Sequence, residues 1–138
     1  MEVPVGEIIG GKMVMQTFKP KSNGLSAVSV QLATYARTNH GEIKLRLEDV
    51  DSQKLAEKIV NAKKIKDNTY YIFPFDPILD SKGKTYRLII QAEKSSPGNA
   101  ITAWASKKKV YSDGELTVGG IPMDGDLAMR IYFDKSVQ

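Results

Sequence analysis

The chain has no cysteine and only one histidine, His40, among its 138 residues. The first absence excludes disulfides, thiolate metal sites and a cysteine nucleophile, and leaves the compartment open. The second leaves any imidazole chemistry to one residue in the turn Thr38-Asn39-His40-Gly41, where a solvated turn residue is the simpler reading. Long apolar runs are missing too. No stretch nears the roughly 18 residues of a membrane span, and no basic-then-apolar leader opens the chain. Direct membrane insertion by this segment is therefore not expected. Met1 followed at once by Glu2-Val3-Pro4-Val5 reads as a start placed before a domain excised from a larger protein.

What is present is ordinary for a folded domain. Hydrophobic residues make up 41% and charged residues 26%, and a chain of this length buries a core without staples, so residues 1–138 read as one domain. The net charge is +4, but 16 of the 20 basic residues are lysines interleaved with 16 acids. The densest basic cluster, Lys107-Lys108-Lys109, falls in an expected loop. With no recognition helix, zinc spacing or aromatic RNA-binding motif, no nucleic-acid partner is expected.

Hydrophobic periodicity and turn residues divide the chain into short strands. The run 12–18 ends at Pro20 and Ser22-Asn23-Gly24. In 26–36, Val28, Val30 and Leu32 share one parity against Ser29, Gln31 and Tyr35. Ile43, Leu45 and Leu47 then alternate with Lys44, Arg46 and Glu48. Segment 53–66 is ambiguous, since Leu55, Ala56, Ile59, Ala62 and Ile65 fit one helix face; its surroundings favour a strand over 54–60 and a turn over 61–68. Further strands are expected over 69–75, where Pro74 demands an edge or a bulge, and over 84–92, 100–105, 115–118 and 127–133. The sum is an all-β, antiparallel β-sandwich, jelly-roll-like, of eight or nine strands.

Several segments together carry a resemblance. They are Gln31-Leu32-Ala33-Thr34-Tyr35-Ala36-Arg37, then Ile65-Lys66-Asp67-Asn68 with Tyr70 and Phe73-Pro74-Phe75, and next the run from Pro77-Ile78-Leu79-Asp80 to Thr85-Tyr86. Gly98-Asn99-Ala100-Ile101-Thr102-Ala103-Trp104, Tyr111, Gly114 and Gly125-Asp126-Leu127-Ala128 complete the set. The order resembles a β-sandwich domain appended to prokaryotic membrane glycosyltransferases and other cell-surface polysaccharide proteins, comparable to galactose-binding-like jelly rolls and carbohydrate-binding modules. The resemblance implies a sandwich, an extracytoplasmic setting at the periplasm or cell surface, and work near glycans. It carries no catalytic or ligand set that transfers residue by residue.

Candidate binding residues follow from side-chain chemistry. The four arginines, Arg37, Arg46, Arg87 and Arg130, lie in or at the end of expected strands, on the parity opposite the apolar residues. A guanidinium fork suits carboxylates, phosphates and sugar hydroxyls. With Gln31, Tyr35 and Tyr132 on outward parities they offer a shallow polar and aromatic platform, although cross-strand ion pairs with Glu48 or Glu93 would use the same groups. Trp104, the only tryptophan, and Tyr111 are the best sugar-stacking candidates, with the side of the sheet that Trp104 occupies left open. Asn39, His40 and Asn99 supply hydrogen-bonding groups on loops.

For catalysis, Asp76, Asp80, Asp124 and Asp126 sit near turns, and nothing singles out a pair for glycoside hydrolysis. A structural Ca²⁺ site is a further candidate. Glu7 would meet Asp124 or Asp126 if the first and last strands were neighbours. The reading from sequence is a non-catalytic accessory domain that binds a glycan or polysaccharide and stays attached to its parent polypeptide. The alternative is a spacer or docking domain that binds no sugar.

Overall fold

The computed structural model describes residues 2–108 and 114–137 and contains twelve strands among them. They are β1 (Glu2–Pro4), β2 (Val14–Phe18), β3 (Leu25–Ala33), β4 (Glu42–Asp49), β5 (Lys54–Asn61), β6 (Thr69–Ile78), β7 (Tyr86–Gln91), β8 (Thr102–Ser106), β9 (Leu116–Val118), β10 (Ile121–Met123), β11 (Asp126–Leu127) and β12 (Met129–Phe133).

The pairing is nested. β1 pairs with β8, β2 with β7, β3 with β6 and β4 with β5, all antiparallel. A ribbon of four such pairs, rolled up so that β8 also meets β3 and β7 also meets β4, gives a front sheet β1-β8-β3-β6 and a back sheet β2-β7-β4-β5. This is the strand order of a jelly roll, so eight strands make the roll. The other four are additions. The β9–β10 hairpin extends the back sheet beyond β2. β3 and β8 touch only at Leu32, Ala33, Thr102 and Ala103, and β11 and β12 fill the fork where they part. At its crotch the Ala128 carbonyl accepts from Gln31 N, and Ala128 N donates to the Trp104 carbonyl.

Alternation decides which side chains are inside. Val28, Val30 and Leu32 of the front sheet pack against Ile43, Leu45, Leu47, Leu88 and Ile90 of the back sheet. One polar link crosses this core: the buried Gln16 donates from Nε2 to Asp126 Oδ1 at 2.8 Å and accepts from Leu127 N at 2.9 Å. Burying such groups is tolerated because both are satisfied.

The ambiguous segment is strand β5 followed by a single 3₁₀ turn at Ala62–Lys64. Leu55 and Ile59, which shared the helical stripe with Ala62, are exposed. β5 and β6 are edge strands, the first blunted by charge and the second by Pro74 and Pro77. Lys58 closes the open side between them, its ammonium 5.3 Å from the Tyr71 ring. No helix among the described residues is long and apolar enough to cross a membrane.

The strand expected over 26–36 stops at Ala33. Tyr35 and Ala36 have φ of 59° and 54°, which no pleated strand accommodates, and Thr34 N leaves the ladder to bond Asp67 Oδ1 at 2.7 Å. Tyr35 is therefore a turn residue.

Candidate functional site

Trp104 lies between Ala103 and Ala105, both of which enter the core. The period of two therefore turns its indole to the outer face of the front sheet. There it is half-buried, opposite Pro4 of β1, with Nε1 donating to Asn68 Oδ1 at 2.9 Å. Tyr35, 42% exposed, stands on the adjacent loop. The two rings, distant in sequence, line one shallow groove of about 260 Å³ together with Pro4, Ala33, Ala36 and Asn68.

The Tyr35 turn is held from several sides. Arg37 N bonds the Thr34 carbonyl across the two left-handed residues, a conformation that costs a non-glycine residue roughly 1–2 kcal/mol. Arg37 then anchors the loop. Its guanidinium sits 4.8 Å from the Tyr35 ring centroid and donates to Glu7 Oε2 at 2.6 Å, Asn39 Oδ1 at 2.9 Å and the Ala100 carbonyl at 3.1 Å. Asn39 is buried and closes the knot by donating to the Thr34 carbonyl. Glu7 also accepts from Gly98 N at 2.9 Å. That backbone bond first, and Arg37 second, hold its carboxyl below the usual carboxylate range. Asn99 accepts from His40 N.

These bonds sort the expected site residues. Tyr35 and Trp104 come together with ring surface toward solvent. Arg37 and Asn39 are beside them but serve the loop. Arg46 and Arg87 lie on the outer face of the back sheet and face away from Trp104: Arg46 pairs with Glu48 at 2.6 Å, while Arg87 is 3.7 Å from Glu48 and donates to the Asp49 and Val50 carbonyls. A single platform of all four arginines is thereby excluded. Tyr111 lies outside the described residues.

The expected cation site does not assemble. β8 stands between β1 on one edge and β11 on the other. Glu7 is taken up by Arg37 and Gly98, and Asp126 is buried against Gln16. Among the described residues no three carboxylates or imidazoles are grouped to hold a metal ion, and Asp124 joins no such group.

The sequence reading missed Asn68 as the partner of the indole and Tyr70 as part of the outer face. Asn68, with φ of 60°, carries no local signal of a site residue, and only the fold brings it to Trp104. A larger hollow of about 430 Å³ occupies the opposite end of the roll, between Asp49, Asp51, Leu55, Asp80 and Lys84. Several of its polar groups are committed: Asp49 Oδ1 accepts from Asp51 N and Gln53 N, and Asp80 pairs with Lys84. It presents no aromatic face to solvent, because its one ring, Tyr86, is buried. The Tyr35–Trp104 groove is thus the better candidate site. Comparison of the sequence with protein-family models and with curated proteins finds no match to either, so the candidate site stands on its geometry.

Proposed function

We propose that the protein is a non-catalytic glycan-binding domain whose site is the Tyr35–Trp104 groove. The observation that carries this reading is the convergence of two solvent-facing rings on one open groove, with the Asn68 amide in its lining. Pyranose rings offer apolar C–H faces to aromatic rings and hydroxyls to amides, which is the chemistry this groove provides. The strained Tyr35 turn adds support. Left-handed non-glycine residues persist where the surroundings enforce them, and they cluster at ligand clamps. The jelly-roll strand order agrees with a galactose-binding-like or carbohydrate-binding-module-like identity, and through that analogy with an extracytoplasmic place beside a glycan-processing parent protein.

A second reading has its own observation. The Trp104–Asn68 bond joins β8 to the start of β6, as a packing residue in a spacer domain would. One experiment separates the two. Trp104 is the only tryptophan, so its emission reports the groove directly during titration with a panel of soluble polysaccharides. Saturable quenching, weakened about tenfold or more by Tyr35→Ala in a folded variant, supports binding. Absence of any saturable ligand, together with a Trp104→Ala variant that loses stability, moves the assignment to the spacer.

A further inference from the structure

The outer face of the front sheet continues beyond the groove. Registers place Tyr70, Ile72 and Pro74 of β6 opposite Gln31, Ser29 and Ala27 of β3, with Arg130 and Tyr132 of β12 on the other flank of Ser29 and Ala27. The small β3 side chains leave a trough, and Arg130 lies across it, its guanidinium carbon 3.8 Å from the Tyr70 ring centroid. Tyr132 supports this surface through a 2.9 Å bond between its hydroxyl and Ser29 Oγ. Gln31 links the stack to the groove by donating to the Asn68 carbonyl at 3.0 Å.

The four arginines differ in what their charge meets. Arg37, Arg46 and Arg87 each lie within 4.0 Å of a glutamate. Arg130 is exposed, and among the described residues it pairs with no carboxylate; its guanidinium stacks on the Tyr70 face. A guanidinium stacked on an aromatic ring keeps its in-plane N–H groups free, and that fork matches a carboxylate in a bidentate pair.

We propose that this face recognises an acidic polysaccharide, with a sugar carboxylate on Arg130 and a neighbouring part of the same chain in the Tyr35–Trp104 groove. The inference rests on the glycan-binding reading above and adds the charge of the ligand. Ser29, opposite Arg130, is four residues along β3 from Ala33 in the groove, a span of about 13 Å. That exceeds the reach of one sugar ring, so the ligand is a chain. The net charge of +4 acts in the same direction, drawing anionic chains toward the domain.

The test uses polygalacturonate and alginate, each beside its methyl-esterified counterpart, which keeps the sugar chain and removes the charge. Affinity is read by tryptophan quenching and by calorimetry in wild type, Arg130→Gln, and Lys44→Gln, the last an equal charge change on the outer face of the back sheet. The expected result is tighter binding of an acidic form than of its ester, a preference reduced about tenfold by Arg130→Gln and little changed by Lys44→Gln. Equal binding of acid and ester, or equal losses in the two variants, overturns the acidic specificity and leaves the groove assignment standing. Binding of no chain in either form removes both.

Discussion

Gly125 offers the sharpest test of the fork built by β8, β11 and β12. Its φ is 79°, and a methyl group there would overlap the Ser106 carbonyl oxygen while lying 2.7 Å from the Ser106 carbonyl carbon and 3.0 Å from that of Lys107. These are backbone atoms, so the clash is relieved only by parting residues 124–125 from the end of β8. That movement strains the pairing of Asp126 with Ser106 and the Gln16–Asp126 link behind it. Gly125→Ala therefore combines a left-handed penalty of roughly 1–2 kcal/mol with an overpacking cost of about 1–3 kcal/mol. The expected loss is about 3 kcal/mol, a large part of the stability of a domain this size. Gly83→Ala is the matched control, with φ of 76° and nothing within 4 Å of the added carbon, so it bears the backbone penalty alone. Urea unfolding followed by tryptophan emission measures both. With a slope of about 1.5 kcal/mol per molar, the Gly125 variant should lose about 2 M in midpoint and the Gly83 variant about half of that. Equal losses would refute the argument from close approach.

Two further predictions concern buried and charged links. Asp126→Ala leaves Gln16 Nε2 short of its carboxylate partner inside the core and should cost about 1–3 kcal/mol, whereas Gln16→Glu would set two carboxyls face to face and should cost at least as much; denaturant titration reads both. Glu7, whose carboxyl is held low by Gly98 N–H and Arg37, has a folded-state pKa below its unfolded value of 4.5. Its contribution is complete above that pH and is lost as pH falls through the lowered folded value. Stability measured from pH 6 down to pH 2 should therefore fall less steeply below pH 4.5 in Glu7→Gln than in wild type, and parallel curves would show that the Glu7 knot adds nothing.

Much of the sandwich could be read from the sequence, because its signal is local. Alternation in 28–32, 43–47 and 86–90 assigns inner residues without reference to any partner strand. It failed where the chain leaves the pleat. Tyr35 has no strand parity in the fold, and two consecutive left-handed residues, neither of them glycine or asparagine, carry no composition signal for a turn. The three strands that alternation does not reveal are short: β1 and β10 have three residues each and β11 two. Each is defined by its partner more than by its own pattern. The helical stripe through Leu55 and Ile59 was misleading for the opposite reason. These residues are apolar and exposed on an edge strand, and an exposed leucine is common enough that periodicity over so few residues cannot exclude it.

The site divides along the same line. That an aromatic such as Trp104 or Tyr35 suits a sugar is a property of the residue and can be read from one letter. That they share a groove depends on β8 pairing with both β1 and β3 while residues 34–37 turn back over Asp67. These are contacts across 33 residues of chain (Thr34 to Asp67) to 104 (Glu2 to Ser106). The arginines make the point more strongly. In sequence all four sit on polar positions of strand-like segments and are equivalent. In the fold one is locked into a loop, two neutralise Glu48, and one rests on an aromatic face without a carboxylate partner among the described residues. An arginine's availability to a ligand is set by whether a glutamate reaches it, and that is decided by which strands the roll makes neighbours. Arg130 differs from the rest because β12 entered the front sheet beside Ser29 and Tyr70, whereas the glutamates near Arg46 and Arg87 all belong to the back sheet.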